Sequence, residues 1–205
     1  MNKDTTIKFM AKFGAKQFKK ALKKRNNSRY KALSKEYYER YITSVKKEDW
    51  GENDFRLKSF LNMFLGITSC KITMENGYSF EESIAIFDDV AHGVRVFSRW
   101  LFKMVDLFPN AFKTTRGSLL DDMRGPSAGC WHTEIVTDNE KEFTYKITKC
   151  LYIETCEKYG IRDFCQVFCN HDNWAYGGLQ KHVKFVRYST LVEGDCCHDS
   201  FLKID

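Results

Sequence analysis

The spacing of apolar residues changes once along this chain, and the change limits what it can fold into. Up to about residue 104, apolar side chains recur every three or four positions, which is the period of an amphipathic α-helix. From Trp131 the period falls to two, as in Phe143, Tyr145 and Ile147, which is typical of a half-buried strand. The sequence therefore predicts an α+β protein, with N-terminal helices packed on a C-terminal antiparallel sheet.

The second half predicts a four-stranded sheet in the order ββ-αα-ββ. Strands are predicted over 131–136, 142–148, 183–191 and 197–204, and helices over 151–158 and 161–176. In the first half, helices are predicted over 5–25, 30–45, 53–74 and 80–104. The last of these begins at a capping box, Ser79-Phe80-Glu81-Glu82, and its long apolar face predicts a central, buried helix.

Charge is distributed unevenly along the chain, whose formal net charge is +6. Residues 1–50 contain 15 basic and 5 acidic residues, a balance of +10, so the remainder carries −4. We therefore predict a basic helical extension over 1–50 and one α+β domain over 51–205, with a helical part over 51–125 and a sheet part over 126–205. A basic helix suits nucleic acid or an anionic membrane, but a solvated face is the commoner explanation, and we expect no nucleic-acid partner.

The sequence gives no sign of membrane insertion or export. No run reaches the roughly eighteen apolar residues of a membrane-spanning helix, and the first residues do not begin an apolar signal sequence. We expect a cytoplasmic protein without a transmembrane segment, in which the eight cysteines are thiols. Such thiols could bind zinc or iron, act as nucleophiles or simply pack; we expect no cofactor, with zinc or iron as the alternative.

Two charged residues fall on apolar faces of predicted elements. Arg187 shares a strand face with Val183 and Phe185, and Asp172 continues a helical apolar stripe through Phe168. A buried guanidinium needs an acidic partner, and a carboxylate among apolar groups has a raised pKa or a cationic partner. Three interpretations stay open: an internal Asp172–Arg187 ion pair, a site where Asp172 transfers protons and Arg187 binds a substrate carboxylate, or an ordinary exposed carboxylate at Asp172.

Five short strings follow one another in the second half of the chain. They are Thr148-Lys149-Cys150-Leu151-Tyr152, Tyr159-Gly160-Ile161, Phe168-Cys169-Asn170-His171-Asp172, the run from Val183 to Leu191, and Gly194-Asp195 with Cys197. In order and spacing they resemble the L-2-amino-thiazoline-4-carboxylic acid hydrolase family. With the helix from Phe60 and the Ser79-Phe80-Glu81-Glu82 entry upstream, the resemblance covers about residues 53–204. His198 and Ser200 look inserted relative to the family's closing pattern.

The resemblance implies hydrolysis that opens a small cyclic amidine or isothiourea carboxylate and gives N-carbamoyl-cysteine. A carboxylate would serve as the base for water, an arginine would hold the substrate carboxylate, and the thiols would attack the ring carbon, bind a metal or line the pocket. The alternative is a non-catalytic small-ligand or metal-binding module of the same fold, and either could be a homo-oligomer. The predicted catalytic residues are Asp172, Cys150, Cys169 and Cys197, and the predicted substrate-binding residues are Arg187, Thr190 and His132.

Overall fold

The computed structural model describes residues 2–52, 54–125, 127 and 129–204, and within them the chain forms N-terminal helices followed by an antiparallel sheet. The helices are α1 (Lys3–Lys24), α2 (Tyr30–Lys47), α3 (Asp54–Glu75), α4 (Phe80–Val105), α5 (Ala111–Arg124), α6 (Leu151–Lys158) and α7 (Gln166–Tyr176). The strands are β1 (Trp131–Asp138), β2 (Glu142–Cys150), β3 (Val183–Ser189) and β4 (Cys197–Lys203). The predicted α+β class is confirmed.

The sheet has the strand order β1-β2-β4-β3, and every neighbouring pair is antiparallel. The element order is the predicted ββ-αα-ββ, with one addition: a 3₁₀ helix, Arg162–Cys165, precedes α7 where one continuous helix is predicted. Strand β4 lies between β2 and β3, so Asp199 faces Tyr145 on one side and Arg187 on the other. Directly opposed residues project from the same face of a sheet. These three side chains therefore form a row across three strands.

The contacts divide the chain into two compact units, Met1–Gly93 and Val94–Asp205. In the first unit, α3 is buried along most of its length, because it is apolar on all sides. The hydroxyls of Tyr37 and Tyr41 on α2 donate to the carbonyls of Leu65 and Leu61 on α3, at 3.0 and 2.7 Å. The basic helices α1 and α2 thus share a core with α3, within the unit that ends at Gly93.

Helix α4 begins at the predicted capping box but is buried only in its first half. The backbone N–H of Glu82 donates to the Ser79 hydroxyl, and the N–H of Ser79 donates to the Glu82 carboxylate, at 3.1 and 2.7 Å. No residue of α4 after Val90 is fully buried, although Phe102 and Val105 pack against the core of the second unit. Six apolar side chains of this half are 39–60% exposed: Val94, Val96, Phe97, Trp100, Leu101 and Met104. The prediction of a central, buried helix is therefore wrong for this half, because periodicity reveals an apolar stripe without showing what covers it.

The core of the second unit forms where α5 packs on the sheet. Phe143 of β2 and Phe201 of β4 are fully buried against Phe112 and Leu120 of α5. The sequence did not predict α5, because Gly117 and the neighbouring threonines are weak helix formers. Packing of the apolar face overrides that preference. Pro126, which marks the predicted boundary between helical and sheet parts, lies outside the described residues.

None of the helices in the described ranges combines the length and apolar character needed to cross a bilayer.

Candidate active site

The site is built on a buried ion pair between two neighbouring strands. Arg187 on β3 donates from Nε to Oδ1 of Asp199 on β4 and from Nη2 to Oδ2, both at 2.7 Å. Only 9% of the arginine side chain and 1% of the aspartate side chain are exposed. Nη1 donates in addition to the carbonyl of Cys169 on α7, at 2.7 Å. This guanidinium is therefore neutralised by the sheet and tied to the helix above it.

Asp172 on α7 contacts the same guanidinium from outside the pair. Nη2 of Arg187 lies 3.4 Å from its Oδ2, a longer contact than either bond to Asp199. Burial raises the pKa of Asp172 to about 6, the Arg187 charge opposes that rise, and the Asp199 charge adds to it. Yet 47% of the side chain is exposed. This carboxylate is crowded by the protein and still accessible, so it can exchange protons with a bound molecule near neutral pH.

Two tyrosines border the carboxylates. The hydroxyl of Tyr145 on β2 donates to Oδ2 of Asp199 at 3.4 Å. Burial, with the charges of Asp172 and Asp199, raises the pKa of Tyr176 well above its ordinary value. The Tyr176 ring packs against those of Phe185 and Phe201, with centroids 4.8 and 5.0 Å apart. Both phenols are therefore neutral donors in an aromatic wall. The alternation that places Tyr145 beside Phe143 is the sequence signal that could have identified one of them.

A group of cysteine thiols lies near the ion pair. Cys156, Cys165, Cys169 and Cys197 are hydrogen-bonded in succession, and Cys150 interacts electrostatically with Cys165 and Cys197. All of them are free of disulfides. Burial raises the pKa of Cys150 to about 11, and the bond from Cys165, together with burial, raises the pKa of Cys169 to about 12. The bond with Cys169 and burial raise the pKa of Cys197 further. Cys150, Cys169 and Cys197 are therefore protonated at neutral pH.

Throughout the described ranges, no three or more histidine, cysteine, aspartate or glutamate side chains are grouped so that they could hold an ion. Cys150, Cys169 and Cys197, the set considered for zinc or iron, therefore do not form a ligand cage there.

Two predicted substrate-binding residues lie apart from the carboxylates. Nδ1 of His132 on β1 hydrogen-bonds to the Thr148 hydroxyl at 2.6 Å. Strand β1 forms one edge of the sheet, and β3 forms the other. Thr190 is 3% exposed, and its hydroxyl lies 3.1 Å from oxygens of both Gln166 and Glu193. The structure thus brings together the predicted aspartate, arginine and cysteines. The Thr190 hydroxyl links the end of β3 to α7 through the side chain of Gln166.

One comparison with known proteins decides the family. A family model described as L-2-amino-thiazoline-4-carboxylic acid hydrolase matches residues 87–201, which is more than half of the chain. The chain belongs to this family. The hydrolase-family region contains Asp172, Arg187 and Asp199, but it starts later than the predicted residue 53, so α1 to α3 lie outside it. Neither the curated proteins nor the solved structures give a match.

A third carboxylate of the hydrolase-family region holds the start of β3 in place. Asp106, which follows α4, is 2% exposed and accepts hydrogen bonds from the backbone N–H groups of residues 180–183 at 2.5–3.1 Å. Just before them, a Cβ on Gly178 would lie 2.4 Å from the carbonyl oxygen of Arg99. The connection between α7 and β3 therefore runs directly against α4. Asp106 could not be predicted from the sequence, because nothing local shows that its carboxylate will accept hydrogen bonds from backbone donors so far along the chain.

Proposed function

We propose that the protein hydrolyses a small cyclic amidine or isothiourea that carries a carboxylate, of the 2-amino-thiazoline-4-carboxylate type, and that Asp172 transfers the protons. The family supports the reaction class. The observation that carries the proposal is an accessible carboxylate with a pKa of about 6 beside a buried guanidinium. A base with such a pKa is about nine-tenths ionised at pH 7 and can still return its proton in a later step.

In the proposed reaction, Asp172 takes a proton from water while the water oxygen adds to the ring carbon between nitrogen and sulfur. The tetrahedral intermediate then collapses by breaking the carbon–sulfur bond. Asp172 returns its proton to the leaving sulfur, and the second proton of the water ends on the former ring nitrogen. One water is consumed, and one thiol and one carbamoyl group are formed. An ionised Asp172 also stabilises the amidinium form of the ring, which is the more electrophilic form.

We assign Arg187 to positioning Asp172. In the described contacts, four of its five N–H donors are engaged: two by Asp199, one by Cys169 and one by Asp172. Binding a substrate carboxylate in the usual bidentate way would require displacing Asp199. The Arg187 charge instead limits the rise in the pKa of Asp172 that burial causes. The geometry thus supports an internal ion pair for Arg187, with Asp199 as its closer partner, and leaves Asp172 to transfer protons.

We assign the thiols to the wall of the site. With a pKa of about 12 for Cys169, roughly one molecule in a hundred thousand would be a thiolate at pH 7, and only the thiolate is an effective nucleophile. Neutral thiols make a surface of low polarity that suits a sulfur-containing ring. A cytoplasmic location, activity without a cofactor and assembly as a homo-oligomer stay predictions.

The test is direct turnover. The purified protein is incubated with 2-amino-thiazoline-4-carboxylate, and formation of N-carbamoyl-cysteine is followed by mass spectrometry, which is insensitive to the protein's own thiols. We expect Asp172→Asn to lower kcat/KM by about 10²- to 10⁴-fold, whereas Asp163→Asn, at an exposed aspartate of the same segment, should leave it unchanged. Binding without turnover on a panel of cyclic amidines would support the non-catalytic alternative. An active Asp172→Asn variant would remove Asp172 from the reaction.

A further inference from the structure

Helix α1 carries two sets of basic residues that differ in their surroundings. Lys3 and Lys8 pair with Asp54 and Asp4, and Lys24, at the helix end, pairs with Asp89. The remaining lysines of the helix have no carboxylate within salt-bridge distance among the described residues: Lys12, Lys16, Lys19, Lys20 and Lys23. We call these five the lysine stripe. Lys19 and Lys23 also lie over the ring of Tyr30, a contact that leaves their charges uncompensated.

The lysine stripe occupies one side of the helix. At 100° per residue its five positions fall within an arc of about 100°, and they extend roughly 16 Å along the axis. The opposite side of α1 is buried in the core of the first unit through Ile7, Ala11, Phe18 and Leu22. The fold therefore fixes the backbone beneath the stripe and directs all five lysines outward. Such an arrangement keeps positive charge along a line, where it can contact an extended anionic surface.

An exposed aromatic residue lies on the same arc. Phe9 is 63% exposed and precedes Lys12 by nearly one turn of the helix. The same helix buries Phe18, so its apolar face is already occupied and Phe9 is left outside it. A phenylalanine at the edge of a lysine array suits a partner that has phosphates at its surface and hydrocarbon just below. Nucleic-acid sites favour the planar arginine fork, and the stripe contains no arginine.

We propose that the lysine stripe and Phe9 dock the protein on an anionic phospholipid surface, with α1 parallel to the bilayer and the Phe9 ring in the headgroup layer. Segments that bind such surfaces typically carry clusters of about four to eight lysines or arginines, and the stripe has five lysines. The lysine stripe belongs to the first unit and the residues of the proposed reaction belong to the second, so this proposal does not depend on that reaction. Because the attraction is between solvated charges, it weakens as ionic strength rises.

The experiment is co-sedimentation of the full chain with vesicles. One set contains phosphatidylserine and phosphatidylcholine in equal amounts, and the other contains phosphatidylcholine alone. A stripe variant replaces the five lysines with glutamine. A control variant removes the same charge at five exposed lysines outside the stripe: Lys58, Lys113, Lys141, Lys149 and Lys184. Circular dichroism checks that both variants fold, and a duplex DNA and a single-stranded RNA are titrated in parallel.

We expect the protein to bind the anionic vesicles and not the neutral ones. The stripe variant should bind them on the order of a thousandfold more weakly, the control variant nearly as well as the unmodified chain, and Phe9→Ser several-fold more weakly. No binding to anionic vesicles at low salt overturns the proposal. Equal losses in the stripe and control variants also overturn it, since net charge alone would then explain the binding. Stripe-dependent binding to DNA or RNA without vesicle binding overturns it in favour of a nucleic-acid surface.

Discussion

Arg187 and Asp199 face each other on adjacent strands and share two hydrogen bonds of 2.7 Å in an almost fully buried position. Charges of opposite sign compensate each other at such a position, and the loss of either partner leaves the other uncompensated. The arginine also reaches α7 through the carbonyl of Cys169. The pair thus joins the sheet to the helix that carries Asp172.

The first prediction concerns this pair. Asp199→Asn removes the negative charge but keeps the shape, so we expect the free energy of unfolding to fall by about 3–5 kcal/mol. Urea denaturation followed by circular dichroism measures it. The matched control is Asp163→Asn, at an exposed position, which should change stability by less than about 0.5 kcal/mol. If the two variants unfold at the same urea concentration, the pair has no structural role.

The second prediction concerns the fall of kcat/KM at acid pH. The proposed base must be ionised, and burial raises the pKa of Asp172 to about 6. We therefore expect kcat/KM to be level above about pH 7 and to fall tenfold per pH unit below about pH 6. Steady-state rates across that range measure it. A profile that stays flat down to about pH 5 would exclude Asp172 as the group that titrates.

The third prediction is the pH dependence of stability. The pKa of Asp172 is about 6 in the folded protein against an ordinary value of 3.8, so between these values the folded protein keeps a proton that the unfolded chain has released. Raising the pH through this window therefore lowers the free energy of unfolding. Asp172→Asn removes the effect, so the unmodified protein should lose stability relative to the variant as the pH rises. Urea midpoints of both, measured at several pH values, test this; a constant difference contradicts it.

The fourth prediction separates a lining role for the cysteines from an attacking one. Neutral thiols contribute packing, so Cys169→Ala and Cys197→Ala should each lower kcat/KM less than about tenfold, provided that the fold is intact. A nucleophile would lose activity on the scale expected for Asp172→Asn. A covalent adduct between substrate and protein, seen by intact-protein mass spectrometry, would likewise restore the nucleophilic interpretation.

The fifth prediction uses two glycines as a matched pair. A Cβ at Gly178 would lie 2.4 Å from the Arg99 carbonyl oxygen, whereas a Cβ at Gly117, within α5, has nothing within 4 Å. Gly178→Ala should therefore destabilise the protein by about 1–3 kcal/mol or more. Gly117→Ala should stabilise it by about 0.5–1 kcal/mol, because alanine is the better helix former. Thermal unfolding of both variants gives the comparison, and a change of the same sign in both would contradict it.

Local patterns in the sequence predicted most elements of this fold. The period-two runs located four strands, with starts that match the observed ones, and α6 lies where it is predicted, over Leu151–Lys158. Local patterns also identified Asp172 and Arg187, because a charge that interrupts an apolar stripe is visible in the sequence alone. In each case the spacing of side chains along one element was sufficient.

These local patterns could not show which residues pair with each other across the fold. The sequence favoured Asp172 as the acidic partner of Arg187, but the closer partner is Asp199, at 2.7 Å against 3.4 Å. That contact depends on β4 lying next to β3, and strand order is not encoded in the alternation of either strand. Asp106 escaped notice for a similar reason: its four backbone donors lie more than seventy positions away along the chain.

The attachment of Arg187 to both β4 and α7 has a consequence for how this protein can diverge. A residue that binds only substrate can be exchanged when the substrate changes, at the cost of activity alone. Exchanging Arg187 would also remove one of the contacts between α7 and the sheet and leave Asp199 as an isolated buried charge. New specificity is therefore more accessible through side chains near Asp172 that take no part in this ion pair, because exchanging one of them leaves no uncompensated buried charge.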